Sequence, residues 1–356
     1  MEFYIAAIAA LAVVIFVHEM GHFLVAKWCD VEVLTFSMGF GPTLFSRKIG
    51  DTTYRLAAIP FGGYVRMAGQ DDSDDPEAEN PERGFSAKSL SQRVAIVAAG
   101  PAVNMIFAFA VFAFVFLVYG LPELSDTSRV GGVVADKPAQ AAGLVAGDLI
   151  TGIDGRPVGR WMELVEAVRG SDGKEMAFTL RAEDGAERTV AIKPELMPER
   201  DYLGEQIGEA WLIGIEPATE YVPVGAFTAV SMAGTRTYYL TAAIFETLWR
   251  LAQGRVSARD LGGPIMIAQE AGRQAAIGLE RLLLFIGLIS VNLGVINILP
   301  IPVLDGGHLL FFSFEAIRGK PLSIRVREMA LQAGVLLLMA LMVLVIYNDI
   351  ARNISG

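Results

Sequence analysis

The sequence predicts a polytopic α-helical membrane protein with four transmembrane helices, a cytoplasmic membrane-associated β-hairpin region and an external mixed α/β domain. Three observations predict it. Of the 356 residues, 53% are hydrophobic and the mean hydropathy is +0.46, too apolar for an ordinary soluble chain. Four stretches, at about 3–26, 94–119, 281–299 and 329–347, are long and apolar enough to cross a bilayer. Between the second and third lies a polar segment in which strand and helix signals alternate. The net charge of −10 argues against nucleic acid as a partner, and the single cysteine, Cys29, permits no internal disulfide.

The first stretch has neither a basic lead nor a small-residue cleavage site, so it is expected to stay in the protein. It carries His18-Glu19-Met20-Gly21-His22, an H-E-x-x-H pattern. Residues four apart share a helix face, so both imidazoles can reach one metal ion. Glu19 stands beside them, placed to take a proton from water. An ionisable side chain at the centre of a membrane helix costs about 2.5–3.5 kcal/mol on insertion scales. Three within one short stretch persist only if they act together.

Orientation follows from the basic residues. Arg47, Lys48, Arg55 and Arg66 follow the first stretch, and Arg318, Lys320, Arg325 and Arg327 follow the third. Both loops are therefore cytoplasmic, and the N-terminus and residues 120–280 lie outside. In the first loop Thr52–Ile59 and Tyr64–Met67 are β-prone, punctuated by Pro60, Gly62 and Gly63, which predicts a hairpin or looped sheet. Gly39-Phe40-Gly41-Pro42 reads as a flexible turn before it. A strand edge at Gly62, Gly63 and Tyr64 can pair with an unwound substrate strand. Asp71-Asp72-Ser73-Asp74-Asp75 opens an acidic, solvated loop.

In the second stretch, Gly100-Pro101 kinks the helix or admits another backbone, and Asn104 is a polar group that needs a partner in lipid. Helix packing and a direct role in the site both fit Asn104.

The external segment reads as a strand at 130–134, a short helix at 138–144 ending at a glycine, and a strand and tight turn at 147–158. A helix at 162–169 and two strands at 175–181 and 187–192 follow, joined by Asp184-Gly185. This order, with Ala142-Gly143-Leu144-x-x-Gly147-Asp148, resembles a PDZ domain, a fold that holds an extended peptide as an added strand. One unit is legible, over 121–200. Residues 201–280 read as the rest of a strap that begins near 195, with a β-prone Trp211–Ile215, and an amphipathic helix at 224–252. That helix is expected on the outer leaflet, because a fifth span would invert the basic loop. Leu261-Gly262-Gly263-Pro264-Ile265 reads as a turn before a further short helix.

Zinc in an enzyme takes three protein ligands. A third is offered by the cluster Asn297-Ile298-Leu299-Pro300-Ile301-Pro302-Val303-Leu304-Asp305-Gly306-Gly307-His308. Pro300 and Pro302 break a helix at membrane depth, where irregular backbone survives only in a protein-lined site. By chemistry alone, Asp305 and His308 serve equally.

Together, His18-Glu19-x-x-His22 in a first membrane helix, Asn297-x-x-Pro300-x-Pro302-x-Leu304-Asp305-Gly306-Gly307 in a third and an external PDZ unit between them resemble the site-2 protease family. Gly100-Pro101-x-x-Asn104 and the Leu261–Ile265 turn extend the likeness over nearly the whole chain. The resemblance implies one zinc ion held by His18, His22 and Asp305, with Glu19 as general base and Asn297 on the substrate backbone or oxyanion. Gly100, Pro101, Asn104, Pro300 and Pro302 are expected to shape the site. It implies residence in a bacterial inner membrane with the PDZ unit and the N-terminus in the periplasm. Implied substrates are single-span membrane proteins already shortened by an upstream site-1 protease, anti-sigma factors above all, and remnant signal peptides. A well-known member carries two tandem PDZ units, whereas one is legible here. A non-catalytic PDZ scaffold and a metal transporter are the competing classes. The intact His18, Glu19, His22 and Asp305 set speaks against the first, and the absence of a visible internal repeat against the second.

Overall fold

The structure is a computed structural model, and it describes residues 2–70, 81–182, 184–200, 206–257 and 262–355. The acidic run at Asp71–Asp75 and Leu261 lie outside the described residues.

The chain opens with α1 (Glu2–Trp28), then β1 (Val33–Ile49), β2 (Thr52–Met67) and α2 (Leu90–Val118). The strands form one antiparallel pair that turns at Gly50, whose φ is +61°. The sequence reading placed the hairpin bend at Pro60–Gly63 and a flexible turn at Gly39–Pro42. Both segments instead lie inside strands, and the partner of 52–67 is the 33–49 segment, which carried no strand prediction. The reason is the glycines. Gly39 and Gly41 take positive φ (+87° and +84°), which lets β1 fold over without leaving the sheet. Thr35–Met38 consequently faces both Arg66–Gly63 and Thr53–Leu56. The near half of the pair buries Val33, Phe36, Val65 and Met67 against Ala26 of α1 and Ile96 of α2. The far half exposes Leu44, Phe45 and Ile49.

A second unit follows, with the strands β3 (Leu121–Leu124) and β4 (Val130–Val133), the helix α3 (Pro138–Ala141), then β5 (Leu149–Ile153), β6 (Arg156–Pro157), α4 (Trp161–Arg169), β7 (Met176–Arg181) and β8 (Glu187–Ile192). It is completed by β9 (Glu195–Arg200), β10 (Gln206–Leu212), β11 (Ile215–Pro217) and β12 (Thr219–Val222). One sheet runs β6-β5-β7-β8, and three strand pairs join β10 to β9, β11 to β4 and β12 to β3. The alternation of Met176, Phe178 and Leu180 on β7 turns one face inward onto Ile150, Leu164 and Ile192. The β-prone 211–215 run is split between two strands at Gly214, whose φ is +81°. The 215–222 segment returns to pair with the unit's first two strands.

The chain ends with α5 (Ala226–Ala252), α6 (Pro264–Ile277), α7 (Leu279–Ile298), α8 (Asp305–Arg318) and α9 (Ile324–Ser355). Four helices are long and apolar enough to span a membrane: Ala7–Trp28, Leu90–Val118, Leu279–Ile298 and Ile324–Arg352. α5 runs beside α2, with the Arg236 guanidinium 5.6 Å from the Phe112 ring and Thr241 Oγ1 3.9 Å from Met105 Sδ, and it exposes Tyr238 and Trp249. The sequence reading had no helix between the third and fourth spans. α8 fills that place, starting at Asp305 and closed by Gly319 at φ +70°.

Asp349, buried near the end of α9, caps α6 from outside the helix. Its carboxylate accepts from the N–H groups of Gly263 (3.0 Å), Ile265 (3.0 Å) and Met266 (3.3 Å). These are the orphan donors of a helix start. Asp349→Ala is expected to lower the stability of the detergent-purified protein by about 1–2 kcal/mol, measured by thermal melting. An unchanged melting curve would show that the cap contributes nothing.

Candidate metal centre

α1 places His18 and His22 one turn apart, and both are buried. Their Nε2 atoms lie 3.2 Å from each other. Asp305 arrives from the other end of the chain. α7 stops at Ile298, and Leu299–Leu304 is irregular, with Val303 at φ +103°. A β-branched residue at positive φ is a strained conformation held by its surroundings. Gly306 makes the turn possible, because a Cβ there would overlap the carbonyl oxygens of Ile298 and Leu299. The result sets Asp305 at the first position of α8, with Oδ2 3.2 Å from His18 Nε2 and 3.4 Å from His22 Nε2.

These three separations test the fit of zinc. A tetrahedral ion with bonds of about 2.0–2.1 Å has edges of about 3.3 Å between its ligand atoms. The three observed edges are 3.2, 3.2 and 3.4 Å. Asp305 Oδ2 is buried and has no aligned hydrogen bond, although two imidazole nitrogens stand beside it. Three ligand-type atoms that converge at these separations suit a shared cation. Among the described residues, this is the one group of three His, Cys, Asp or Glu side chains close enough to share a metal.

α2 closes the site from the side. The His22 Nδ1–H donates to the Ile96 carbonyl at 2.9 Å, which leaves the Nε2 lone pair facing the other two groups. Gly100 lies directly against the imidazoles. A Cβ built there would overlap the His22 ring and stand 2.8 Å from His18 Cε1. Asn104 reaches His18 Nδ1 at 3.4 Å, and Asn297 of α7 reaches His18 Nε2 at 3.4 Å.

The centre opens into a cleft of about 1550 Å³, shared by Glu19, Gly62, Gly63, Tyr64 and Asn297. Gly63 brings β2 against the base, since a Cβ there would stand 2.9 Å from Glu19 Cγ. Tyr64 stacks on Phe40, with ring centroids 6.0 Å apart. His308 also lines the cleft, and Asp305, not His308, stands with the two histidines. Pro302 and Pro300 lie in the irregular link, and Pro101 is inside α2. The sequence reading missed Glu315. It forms a two-pronged, largely buried pair with Arg93 at 2.6 and 3.1 Å, which ties the start of α2 to α8. An acid ten residues after Asp305, on a helix the sequence reading did not draw, was its only trace.

In the second unit, α4 and Leu212–Ile215 enclose an apolar groove of about 210 Å³, lined by Trp161, Leu164, Val168 and Ile213.

The family model described as peptidase family M50 matches residues 6–341. The chain belongs to this family, the site-2 proteases. The M50 chain is 39% identical to a protein of Mesorhizobium japonicum named as a zinc metalloprotease, over 96% of each chain. It is 34% identical to the regulator of sigma-E protease RseP of Escherichia coli, over 97% of each chain. Part of it, 27%, also matches the solved PDZ domain of an SdrC-like protein from Listeria monocytogenes, at 26% identity and a TM-score of 0.21. This M50 protein is therefore a zinc metalloprotease with four membrane-length helices.

Proposed function

We propose that His18, His22 and Asp305 hold one zinc ion and that the enzyme hydrolyses a peptide bond within the membrane-spanning segment of its substrate. The observation that carries this reading is the triangle of ligand atoms drawn from α1 and α8, with edges of 3.2, 3.2 and 3.4 Å. Zinc bound there supplies Lewis-acid polarisation and acidifies water. Glu19 takes the proton of the attacking water and returns it to the leaving amine. The Asn297 amide, beside His18, donates to the developing oxyanion. A helical substrate hides its amides, so it must unwind, and the edge at Gly62, Gly63 and Tyr64 receives it as an added strand.

The substrates in this reading are single-span proteins shortened beforehand by a site-1 protease, of which an anti-sigma factor is the leading case. Remnant signal peptides form a second class. In this reading β1 and β2 lie in the cytoplasm, and the N-terminus and the β3–β12 unit, the outer unit, lie in the periplasm; the basic loops support it. The outer unit acts as a PDZ domain that screens substrates, with its groove beside α4 for an extended peptide.

The test is metal analysis of the detergent-purified protein with cleavage of a reconstituted single-span substrate. His22→Ala is expected to lose both zinc and cleavage. Zinc retained in His22→Ala would overturn the ligand set, and metal-loaded protein that moves zinc across vesicles without cutting would favour a transporter.

A further inference from the structure

His22 and His18 solve the same problem in different ways. Each must present a bare Nε2 to the metal, so each must carry its proton on Nδ1, and that N–H needs an acceptor in a buried place. His22 has one in the Ile96 carbonyl, which can only accept. The group at His18 Nδ1 is the Asn104 side-chain amide, 3.4 Å away on α2. Asn104 is fully buried (0% exposed), and its Oδ1 has no hydrogen-bond partner while its amino group faces the imidazole. An amino group there requires a bare Nδ1. The proton then moves to Nε2, the atom 3.2 Å from both His22 Nε2 and Asp305 Oδ2, where it would block a metal. The two ends of an amide exchange by a half-turn about one bond, and which end points where follows from the bonding demand.

We infer that Asn104 is a positioning residue whose Oδ1 accepts the Nδ1 proton of His18 and so fixes the tautomer that binds zinc. The inference rests on His18 being a ligand. The surroundings hold Asn104 in register for this task. Ser290 Oγ on α7 donates to the Asn104 backbone carbonyl at 2.9 Å, and Gly294, one turn on, lets α7 close on α2 beside Asn104, since a Cβ there would stand 3.2 Å from the Pro101 carbonyl oxygen. Gly100 admits the imidazoles and Asn104, four residues later on the same face, orients one of them. The Gly-x-x-x-Asn spacing is thus a seat and an orienting group for one ring pair.

The experiment uses the full-length protein in detergent and measures zinc affinity by chelator competition and the visible spectrum of the cobalt-substituted form. Asn104→Asp keeps an acceptor and offers no amino group, whereas Asn104→Leu keeps the volume and offers neither. Expected are zinc affinity within a few-fold of wild type for Asn104→Asp and a loss of about 10–100-fold for Asn104→Leu, with an altered cobalt spectrum. Loss of zinc in Asn104→Asp equal to that in Asn104→Leu overturns the acceptor role, as does wild-type affinity in Asn104→Leu. His18→Ala separates this from the parent reading: if that variant keeps zinc, His18 is not a ligand and the ligand assignment itself fails. Melting curves identify a variant that has merely unfolded, and Asn104→Ser, a smaller side chain with an acceptor oxygen, then replaces Asn104→Leu, with a loss of affinity of at least ten-fold expected because its hydroxyl falls short of Nδ1.

Discussion

Glu19→Gln is expected to reduce cleavage of a reconstituted substrate by at least about 10²–10⁴-fold while zinc content stays at the wild-type level. Glutamine has nearly the shape of glutamate and cannot take a proton. Glu19 is not one of the three converging groups, which are His18, His22 and Asp305, so metal binding does not depend on its charge. It lines the same cleft as those ligands and packs against Gly63 of β2, where the substrate strand is proposed to add. The base and the bond to be cut then share one wall. Substrate retained on the inactive protein is the second expected result, measured by co-purification. Turnover near the wild-type rate would remove Glu19 from the chemistry.

Gly100→Ala is expected to cost the protein its zinc, although Gly100 binds nothing. The added methyl overlaps the His22 ring and crowds His18 Cε1. Both rings are buried between helices and cannot swing out freely. Overpacking of this kind costs about 1–3 kcal/mol, and relief by tilting the imidazoles opens the ligand triangle. A zinc affinity lowered by at least about ten-fold is expected, together with a lower melting temperature. Gly159→Ala is the control, because a Cβ at Gly159 meets nothing within 4 Å. Gly100→Ala with wild-type zinc affinity would show that α2 does not confine the ligands.

The spans were legible because burial in lipid demands uninterrupted apolar length, and the H-E-x-x-H pair because helical spacing alone puts His18 beside His22. From residue chemistry alone, without the family resemblance, Asp305 was one of two equal options. Choosing it over His308 requires the backbone path through Val303, whose left-handed φ no propensity predicts. The β1–β2 sheet was misread for a related reason. A glycine in a strand and a glycine in a turn look alike, and at Gly39 and Gly41 the chain stays in the sheet while reversing its φ. Asn104 showed as a polar residue in an apolar stretch, whereas Asp349 and Glu315 drew no reading at all. What they bond to lies on helices far away in sequence, so their partners could not be read from local pattern. The helix α8 was obscured by the basic residues that follow it, although Asp305 at its start and Gly319 just past its end are ordinary boundary signals.

The proposed ligand triangle draws two corners from the first membrane-length helix and the third from beyond Val303. A ribosome adding about 5–20 residues per second needs on the order of tens of seconds between these contributions. For that interval the first helix carries only His18 and His22 of the proposed site. The proposed zinc site therefore cannot be complete until Asp305 has been synthesised.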